Sequence, residues 1–154
     1  MGINSTAQDG ENTSRPATRR RLELLDASQV AAAQRWVPIT YRQLSPGPFS
    51  ARLEALDLAG LELFHERSEQ DLYKCGALPA GQCTISLIDH GDRAARFAQF
   101  VPCGGNTLIF QPERHEFDIV VPGGRSVAYV RLAQAELMRS LAILHEIGRA
   151  SCRE

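Results

Sequence analysis

Histidine is the residue of this chain best suited to metal chemistry. The four histidines are His65, His90, His115 and His145. A metal site in a β-barrel usually takes two histidines of one strand as HxH, because alternate residues of a strand point to the same side. The sequence contains no HxH and no HExxH, and the adjacent His115 and Glu116 would face opposite sides of a strand. We therefore predict no metal site.

Cysteine and serine nucleophiles lack the sequence surroundings that catalysis needs. The cysteines are Cys75, Cys83, Cys103 and Cys152. No two form a CxxC pair, none has a histidine at zinc-finger spacing, and no GxSxG motif is present. Gly104-Gly105-Asn106 lacks the context of a phosphate loop. We predict free thiols in a reducing compartment, with a redox-sensing pair as the alternative, and neither a catalytic residue nor a cofactor.

Charge and hydropathy exclude two classes of partner. The formal net charge is -1 over 154 residues, so the chain carries no overall basic field for nucleic acid. Arg19-Arg20-Arg21 stand beside a polar segment and are expected to aid solubility, with contact to nucleic acid as the alternative. No stretch approaches the roughly 20 apolar residues that cross a bilayer. We expect a cytoplasmic protein with no membrane partner.

Hydrophobic periodicity separates a leader from a β-rich body. Residues 1–21 are assigned to a flexible leader because most of them are polar and show no apolar period. Asp26 to Trp36 is predicted to form a helix, because Asp26 or Ser28 can cap its start and its alanines favour helix. Pro38 ends it. Short alternating or apolar segments between Gly/Pro turns predict strands at 49–55, 61–66, 83–88, 96–101, 107–110, 117–121 and 126–132. Residues 133–145 return to helical spacing.

Strands of this length and spacing predict a mainly β fold, a small barrel or sandwich with an N-terminal and a C-terminal helix. The interior of a small barrel holds side chains or one small ligand. The strand phenylalanines expected to fill it are Phe49, Phe64, Phe97, Phe100, Phe110 and Phe117. Glu113, Glu116 and Asp118 crowd with Arg114 and are expected to form a solvated strand edge.

Four segments resemble sequences of one regulator family. Phe49 to Leu63, FSARLEALDLAGLEL, and Gly76 to Gly81, GALPAG, are similar to stretches in the N-terminal sensor domains of AraC/XylS-type transcriptional regulators, including ethanolamine-operon-like members. Phe110-Gln111 and the segment from Glu116 to Pro122 resemble the same regulators. The likeness runs from about Pro38 to His145. It implies a cupin-like β-barrel flanked by helices.

The resemblance also implies partners and a mechanism. An unidentified small-molecule effector bound in the barrel would shift a pre-existing conformational equilibrium. Domains of this kind pair through helices after the barrel, so the candidate homodimer residues are Leu137, Leu141 and Leu144, one stripe at i, i+4 and i+7. Packing of that stripe on its own barrel is the alternative. DNA would be bound only through a C-terminal domain of two helix-turn-helix units. The alternative functions are a metal-independent cupin-like binding module and a cupin enzyme.

The last residues indicate a sequence that stops before that DNA-binding domain. Ile147 to Glu154, IGRASCRE, resembles the translation of a common sequencing adapter over eight consecutive positions. We therefore expect residues 22–145 to be the sensor and dimerisation domain and residues 146–154 to be a non-native read-through tail. The helix-turn-helix domain is then missing from this sequence.

Overall fold

The part of the chain that the structure describes folds into two antiparallel sheets and two helices. The computed structural model describes residues 17–58, 60–88, 95–97 and 108–151. In these ranges the elements are β1 (Thr18–Leu24), α1 (Ala27–Ala33), β2 (Ile39–Gln43), β3 (Ala51–Asp57), β4 (Glu62–Ser68), β5 (Leu72–Ala77), β6 (Gln82–Ile88), β7 (Arg96–Phe97), β8 (Leu108–Gln111), β9 (Glu116–Val121), β10 (Ser126–Ala133) and α2 (Gln134–Ser151). The prediction of a mainly β chain with an N-terminal and a C-terminal helix is confirmed.

The strands form a large sheet and a small sheet. The large sheet has the order β1-β3-β4-β10-β6-β8, and the small sheet has the order β2-β5-β9-β7. Tyr129 of the large sheet and Tyr41 of the small sheet belong to one buried cluster, so the inner faces of the sheets pack together. In the described ranges, no strand of one sheet is hydrogen-bonded to a strand of the other. These strands therefore form a sandwich whose sheets are not closed into a barrel.

The hairpin of β3 and β4 shows why the alternation in the sequence is informative. Along β3, Ala51, Leu53 and Ala55 are buried and the residues between them are not. This period of two places every second side chain in the core. The turn to β4 contains Gly60 at φ 116°, a backbone angle that side-chain-bearing residues rarely adopt. The strands predicted at 49–55 and 61–66 thus pair antiparallel as a hairpin.

Strand β1 begins inside the segment that was assigned to the leader. Residues 18–21 form the first part of β1, which pairs with β3 along its whole length. Three consecutive arginines interrupt the apolar alternation that would indicate a strand here. Acidic partners on the sheet accommodate their charge. Arg19 Nη2 lies 3.1 Å from Glu54 Oε2, and Arg21 Nη2 lies 3.2 Å from Glu23 Oε1. Residues 1–16 lie outside the described ranges.

Helix α1 begins where the sequence predicts and ends earlier. The Asp26 side chain accepts the Ser28 N–H at 2.6 Å, which confirms the predicted N-cap. The helix was expected to reach Trp36, but it ends at Ala33. Gln34 leaves helical geometry at φ −102° and ψ 58°, and its side chain is buried. A polar side chain directed into the core therefore replaces the last helical turn.

Two neighbouring strands of the small sheet, β2 and β5, are missing from the sequence-based prediction. Along β5 the inward positions hold Leu72, Lys74 and Gly76, so only one large apolar residue marks the buried face. Gly76 is required by the packing, because a Cβ there would lie 2.4 Å from the carbonyl oxygen of Pro38. Pairing of Gly76 with Ile39 brings β2 this close.

Most of the described phenylalanines fill the core, with one exception. Phe64, Phe97 and Phe117 are buried and Phe49 is partly buried against the same core, as predicted. Phe110 is 49% exposed, so its prediction is wrong. On β8 the residues directed inward are Ile109 and Gln111, and Phe110 takes the opposite face. Phe100 lies outside the described residues, as do residues 98–101 of the strand predicted at 96–101.

Helix α2 continues beyond the predicted end at residue 145. Of the predicted stripe, Leu137 is half-buried, whereas Leu141 and Leu144 are 48% and 63% exposed. The stripe is thus only partly covered by this chain. Among the described residues, no helix has the length and apolar character needed to span a membrane.

Candidate functional site

Five polar side chains converge between the sheets instead of facing water. Glu66 on β4 and Tyr129 on β10 come from the large sheet, and Tyr41 on β2 and Lys74 on β5 come from the small sheet. Gln34 follows α1. All five are buried, and the four strand residues occupy inward positions of their strands. We call these five residues the interior cluster.

Glu66 is the acceptor at the centre of the interior cluster. Its Oε1 lies 2.5 Å from Lys74 Nζ, and the two side chains are 3% and 6% exposed. Its Oε2 accepts the Tyr41 hydroxyl at 2.8 Å and the Gln34 amide at 3.0 Å. The Lys74 ammonium also lies 5.2 Å from the Tyr41 ring centroid. The buried carboxylate is therefore both paired and hydrogen-bonded, as a charge in a protein core must be.

Gln34 joins the carboxylate to the second tyrosine. Its Nε2 donates to the Tyr41 oxygen as well as to Glu66, and its Oε1 accepts the Tyr129 hydroxyl. Tyr41 uses its hydroxyl as donor and as acceptor. The principal acceptors of the interior cluster are therefore occupied by its own donors.

Aromatic rings border the interior cluster on the large-sheet side. Phe64 and Tyr129 are stacked with centroids 4.8 Å apart and planes at 13°. Trp36 is tilted against both rings at 6.2 and 6.3 Å. The Arg131 guanidinium lies 5.4 Å from the Trp36 ring centroid, where the electron-rich ring face attracts a cation.

A cavity of about 60 Å³ adjoins the interior cluster. Four of the five cluster residues line it, all except Glu66. The rest of its polar wall comes from Thr84, Ser86 and Gln111, with Thr84 donating to the Gln111 oxygen at 3.2 Å. Much of the remaining wall is apolar, including Phe117 and Val127. The cavity thus combines a polar end with an apolar wall, the usual composition of a small-molecule site.

Trp36 carries a buried donor without an acceptor. Its side chain lines the cavity, and its Nε1 has no hydrogen-bond partner among the residues that the structure describes. The interaction of the indole with the Tyr129 hydroxyl lowers the pKa of that phenol, but the two groups do not meet hydrogen-bond geometry. Buried donors almost always have a partner, because an unpaired one costs roughly 1–3 kcal/mol. A ligand acceptor in the cavity would provide that partner.

The interior cluster is suited to holding a molecule rather than to transferring protons. Burial raises the pKa of Tyr41 and of Tyr129 well above the ordinary value, and the Glu66 carboxylate adds to both shifts. Both phenols are therefore protonated at neutral pH. A general base needs an available lone pair and a pKa near the working pH. Glu66 is instead engaged by three donors.

The histidines are dispersed in the structure. His65 on β4 and His145 on α2 are exposed, and His115 is half-buried in the turn before β9. His90 lies outside the described residues. Within the described ranges, no three His, Cys, Asp or Glu side chains are arranged to hold a metal ion.

Two of the four cysteines can be located. Cys83 is buried and Cys75 is half-buried, and both are free thiols, as predicted. Burial raises the pKa of the Cys83 thiol, which lowers its reactivity. Cys103 and Cys152 lie outside the described residues, as does the Gly104-Gly105-Asn106 segment.

The acidic residues just before and within β9 are more structured than a solvated strand edge. Glu113 Oε2 accepts the Gly81 N–H at 2.5 Å, and the Glu113 N–H donates to Gln134 Oε1 at 2.7 Å. Glu113 therefore connects the turn before β6 to the start of α2. Asp118 accepts the Tyr73 hydroxyl at 3.0 Å. Glu116 remains exposed, as expected.

None of the five residues of the interior cluster was singled out by the sequence analysis. One compositional signal marks Lys74, because it is the single lysine of a chain with 17 basic residues, the rest being arginines. The arginines that the structure describes are exposed or half-buried, whereas the one lysine, with its compact ammonium, lies in the core. Glu66 carries a weaker signal, since it shares a strand face with Phe64.

Removing one partner of the Glu66–Lys74 pair should destabilise the fold. Lys74→Met leaves Glu66 charged and without its cation, and Glu66→Gln leaves Lys74 without its anion. Each should lower the free energy of unfolding by about 3–5 kcal/mol. The double variant removes both charges and should cost less than the sum of the two single variants. Chemical denaturation followed by Trp36 fluorescence measures all three.

Glu23→Gln is the matched control for this experiment. It removes a carboxylate from the exposed pair with Arg52, where side chains are 55% and 46% exposed. Its free energy of unfolding should stay close to that of the native chain, because exposed pairs contribute little. Strictly additive costs in the double variant would mean that Glu66 and Lys74 do not interact.

Stability should fall as the pH rises above the ordinary tyrosine pKa of 10. Tyr41 and Tyr129 have raised pKa values, and the Cys75 thiol and then the Asp118 carboxylate raise the pKa of Tyr73 to about 12. Above about pH 10 the unfolded chain loses phenolic protons that the folded chain keeps, so unfolding becomes more favourable. Below that pH the stabilisation is fully present.

A spectroscopic titration tests this pH dependence. Phenolate absorbance of the folded protein should rise at a higher pH than that of the denatured protein, and Tyr73→Phe should remove only the component near pH 12. Coincident titration curves for the folded and denatured protein would contradict the raised pKa values.

A scan against protein-family models, a search of curated proteins and a search of solved structures each found no match. The geometry of the interior cluster and its cavity is therefore the observation that bears on function.

Proposed function

We propose that residues 22–145 form a cupin-like effector-sensing and dimerisation domain of an AraC/XylS-type transcriptional regulator. The sequence resemblance of Phe49 to Leu63 and of Glu116 to Pro122 supports the family. The cavity between the sheets carries the sensing role, because it combines hydrogen-bonding groups, an apolar wall and an unpaired indole donor.

The connection between β10 and α2 supports a route from the cavity to the dimer. Val127 and Tyr129 of β10 line the cavity. β10 ends at Ala133 and α2 begins at Gln134, so no loop separates the strand from the helix. An effector that favours one position of β10 would thereby favour one position of α2. Its affinity would then differ between the two conformations, as allosteric coupling requires. DNA contact belongs, in this proposal, to a helix-turn-helix domain outside the present sequence.

An enzyme and a stand-alone binding module are the competing functions. The structure does bring together groups used in acid–base chemistry, namely Glu66, Lys74 and Tyr41. Because three donors engage the carboxylate and burial keeps the phenol protonated, these groups favour binding over proton transfer. A stand-alone module would use the same cavity without the regulatory connection.

The reading frame of the natural gene tests the proposal most directly. Independently cloned source DNA should continue in frame beyond His145 into two helix-turn-helix units, because the proposed sensor needs a DNA-binding partner. A stop codon directly after Glu154 in adapter-free reads, or a catalytic domain downstream, would contradict the regulator assignment.

Leu141→Glu should shift the protein from dimer towards monomer. Leu141 is 48% exposed in the single chain, and a charge placed in an apolar helix interface is costly to bury. Light scattering over a concentration series measures the mass. Ser140→Glu, at an exposed neighbouring position, is the control and should leave the mass unchanged. An unchanged monomer–dimer balance in Leu141→Glu removes the dimer proposal for Leu137, Leu141 and Leu144.

A further inference from the structure

We propose that the cavity beside the interior cluster takes a small uncharged molecule and binds it through a hydrogen-bond-accepting oxygen, such as the carbonyl of an amide or ketone. The inference rests on the proposed function, which puts a ligand in this cavity. It adds the chemical class of that ligand, which neither the sequence resemblance nor the fold specifies.

The charge balance of the cavity excludes a charged ligand group. Glu66 and Lys74 are 3% and 6% exposed, and their opposite charges cancel within one contact of 2.5 Å. A third charge would have to be buried without a partner of its own, which carries a large desolvation cost. A cation would also face the Lys74 ammonium, and an anion would compete with Glu66 for it. An uncharged molecule avoids all of these costs.

The direction of the hydrogen bonds determines whether the uncharged molecule should accept or donate hydrogen bonds in the cavity. The Glu66 carboxylate accepts from three donors, and the Gln34 carbonyl accepts from Tyr129. Hydrogen-bond donors remain in excess of acceptors. The Lys74 ammonium has three N–H groups, and Glu66 is the anion that it contacts among the described residues. The Trp36 indole N–H is a second donor without a partner in the same ranges. A ligand therefore gains more by accepting hydrogen bonds than by donating them.

The size and wall of the cavity limit the rest of the molecule. A volume of about 60 Å³ is well below the roughly 300–1,000 Å³ of pockets that hold drug-sized ligands, so the ligand is a small one. Phe117, Ile119 and Val127 contribute apolar wall. Carbon next to the accepting oxygen would replace water at that wall, which is favourable. A short-chain or small-ring carbonyl compound meets both requirements.

Three probes of nearly the same shape separate charge from size. Acetamide is uncharged, acetate carries one negative charge, and acetamidinium carries one positive charge. Trp36 lines the cavity and is the single tryptophan of the chain, so its emission reports on occupancy. Titration of the native protein at neutral pH should give a saturable change with acetamide, at a dissociation constant about tenfold below those of the two ions.

Variants of the ion pair test which donor holds the probe. Glu66→Gln leaves Lys74 as an uncompensated cation, so acetate should replace acetamide as the preferred probe. In the double variant Glu66→Gln/Lys74→Met the cavity is again uncharged but lacks the ammonium, and acetamide should bind about tenfold more weakly. Glu23→Gln, at the exposed pair with Arg52, should bind all three probes as the native protein does.

Each outcome either supports the inference or overturns a defined part of it. If acetate or acetamidinium binds the native protein as tightly as acetamide, the ligand class is wrong and the cavity stays the ligand site of the proposed function. If none of the three probes changes Trp36 emission or the unfolding temperature, the assignment of the cavity as a ligand site fails as well. If acetamide binds the double variant with unchanged affinity, Lys74 is not the donor. The native-protein titrations decide the ligand class even if a variant does not fold.

Discussion

The contact between Glu66 and Lys74 joins the two sheets through the core, and the relative placement of both sheets depends on it. Each residue is nearly inaccessible to water, so each needs the other to avoid an uncompensated buried charge. Because side chains alternate along a strand, a shift of β4 by one residue would turn Glu66 outward and His65 inward. The pair thereby favours one register, while Phe64 on the same face supplies the apolar burial. Electrostatics and packing thus specify the same arrangement.

Parts of the fold follow from local patterns, and the remainder depends on tertiary contacts. β3, β6, β9 and β10 are recognisable because apolar residues alternate or cluster between turns. β5 escapes recognition because its inward positions include Lys74 and Gly76, a charge and a glycine that only the neighbouring strands explain. β1 escapes because its arginines acquire partners on β3, far along the chain. Local sequence does not contain those partners.

The candidate site is harder to predict than the fold for the same reason. Tyr41 and Glu66 are 25 residues apart, Gln34 and Glu66 are 32 apart, and Gln34 and Tyr129 are 95 apart. No short motif records such a combination. Selecting residues by their usual chemistry led to the histidines and cysteines, which the structure disperses across its described surface and core. The solitary lysine is the stronger of the two available signs, and its meaning depends on which strand face it occupies.

The charged edge strand β1 has a consequence for the behaviour of the protein in concentrated solution. β1 is the terminal strand of the large sheet as described, and its outward face carries Arg19, Arg21 and Glu23. A strand of another molecule that docked on this edge would have to accommodate a charged side chain at every second position. This discourages the open-ended sheet extension that leads to fibrils. Because these side chains are exposed, dissolved ions screen them, and this protection weakens as ionic strength increases. Storage at low ionic strength would therefore best preserve the protection of the β1 edge against docking of another strand.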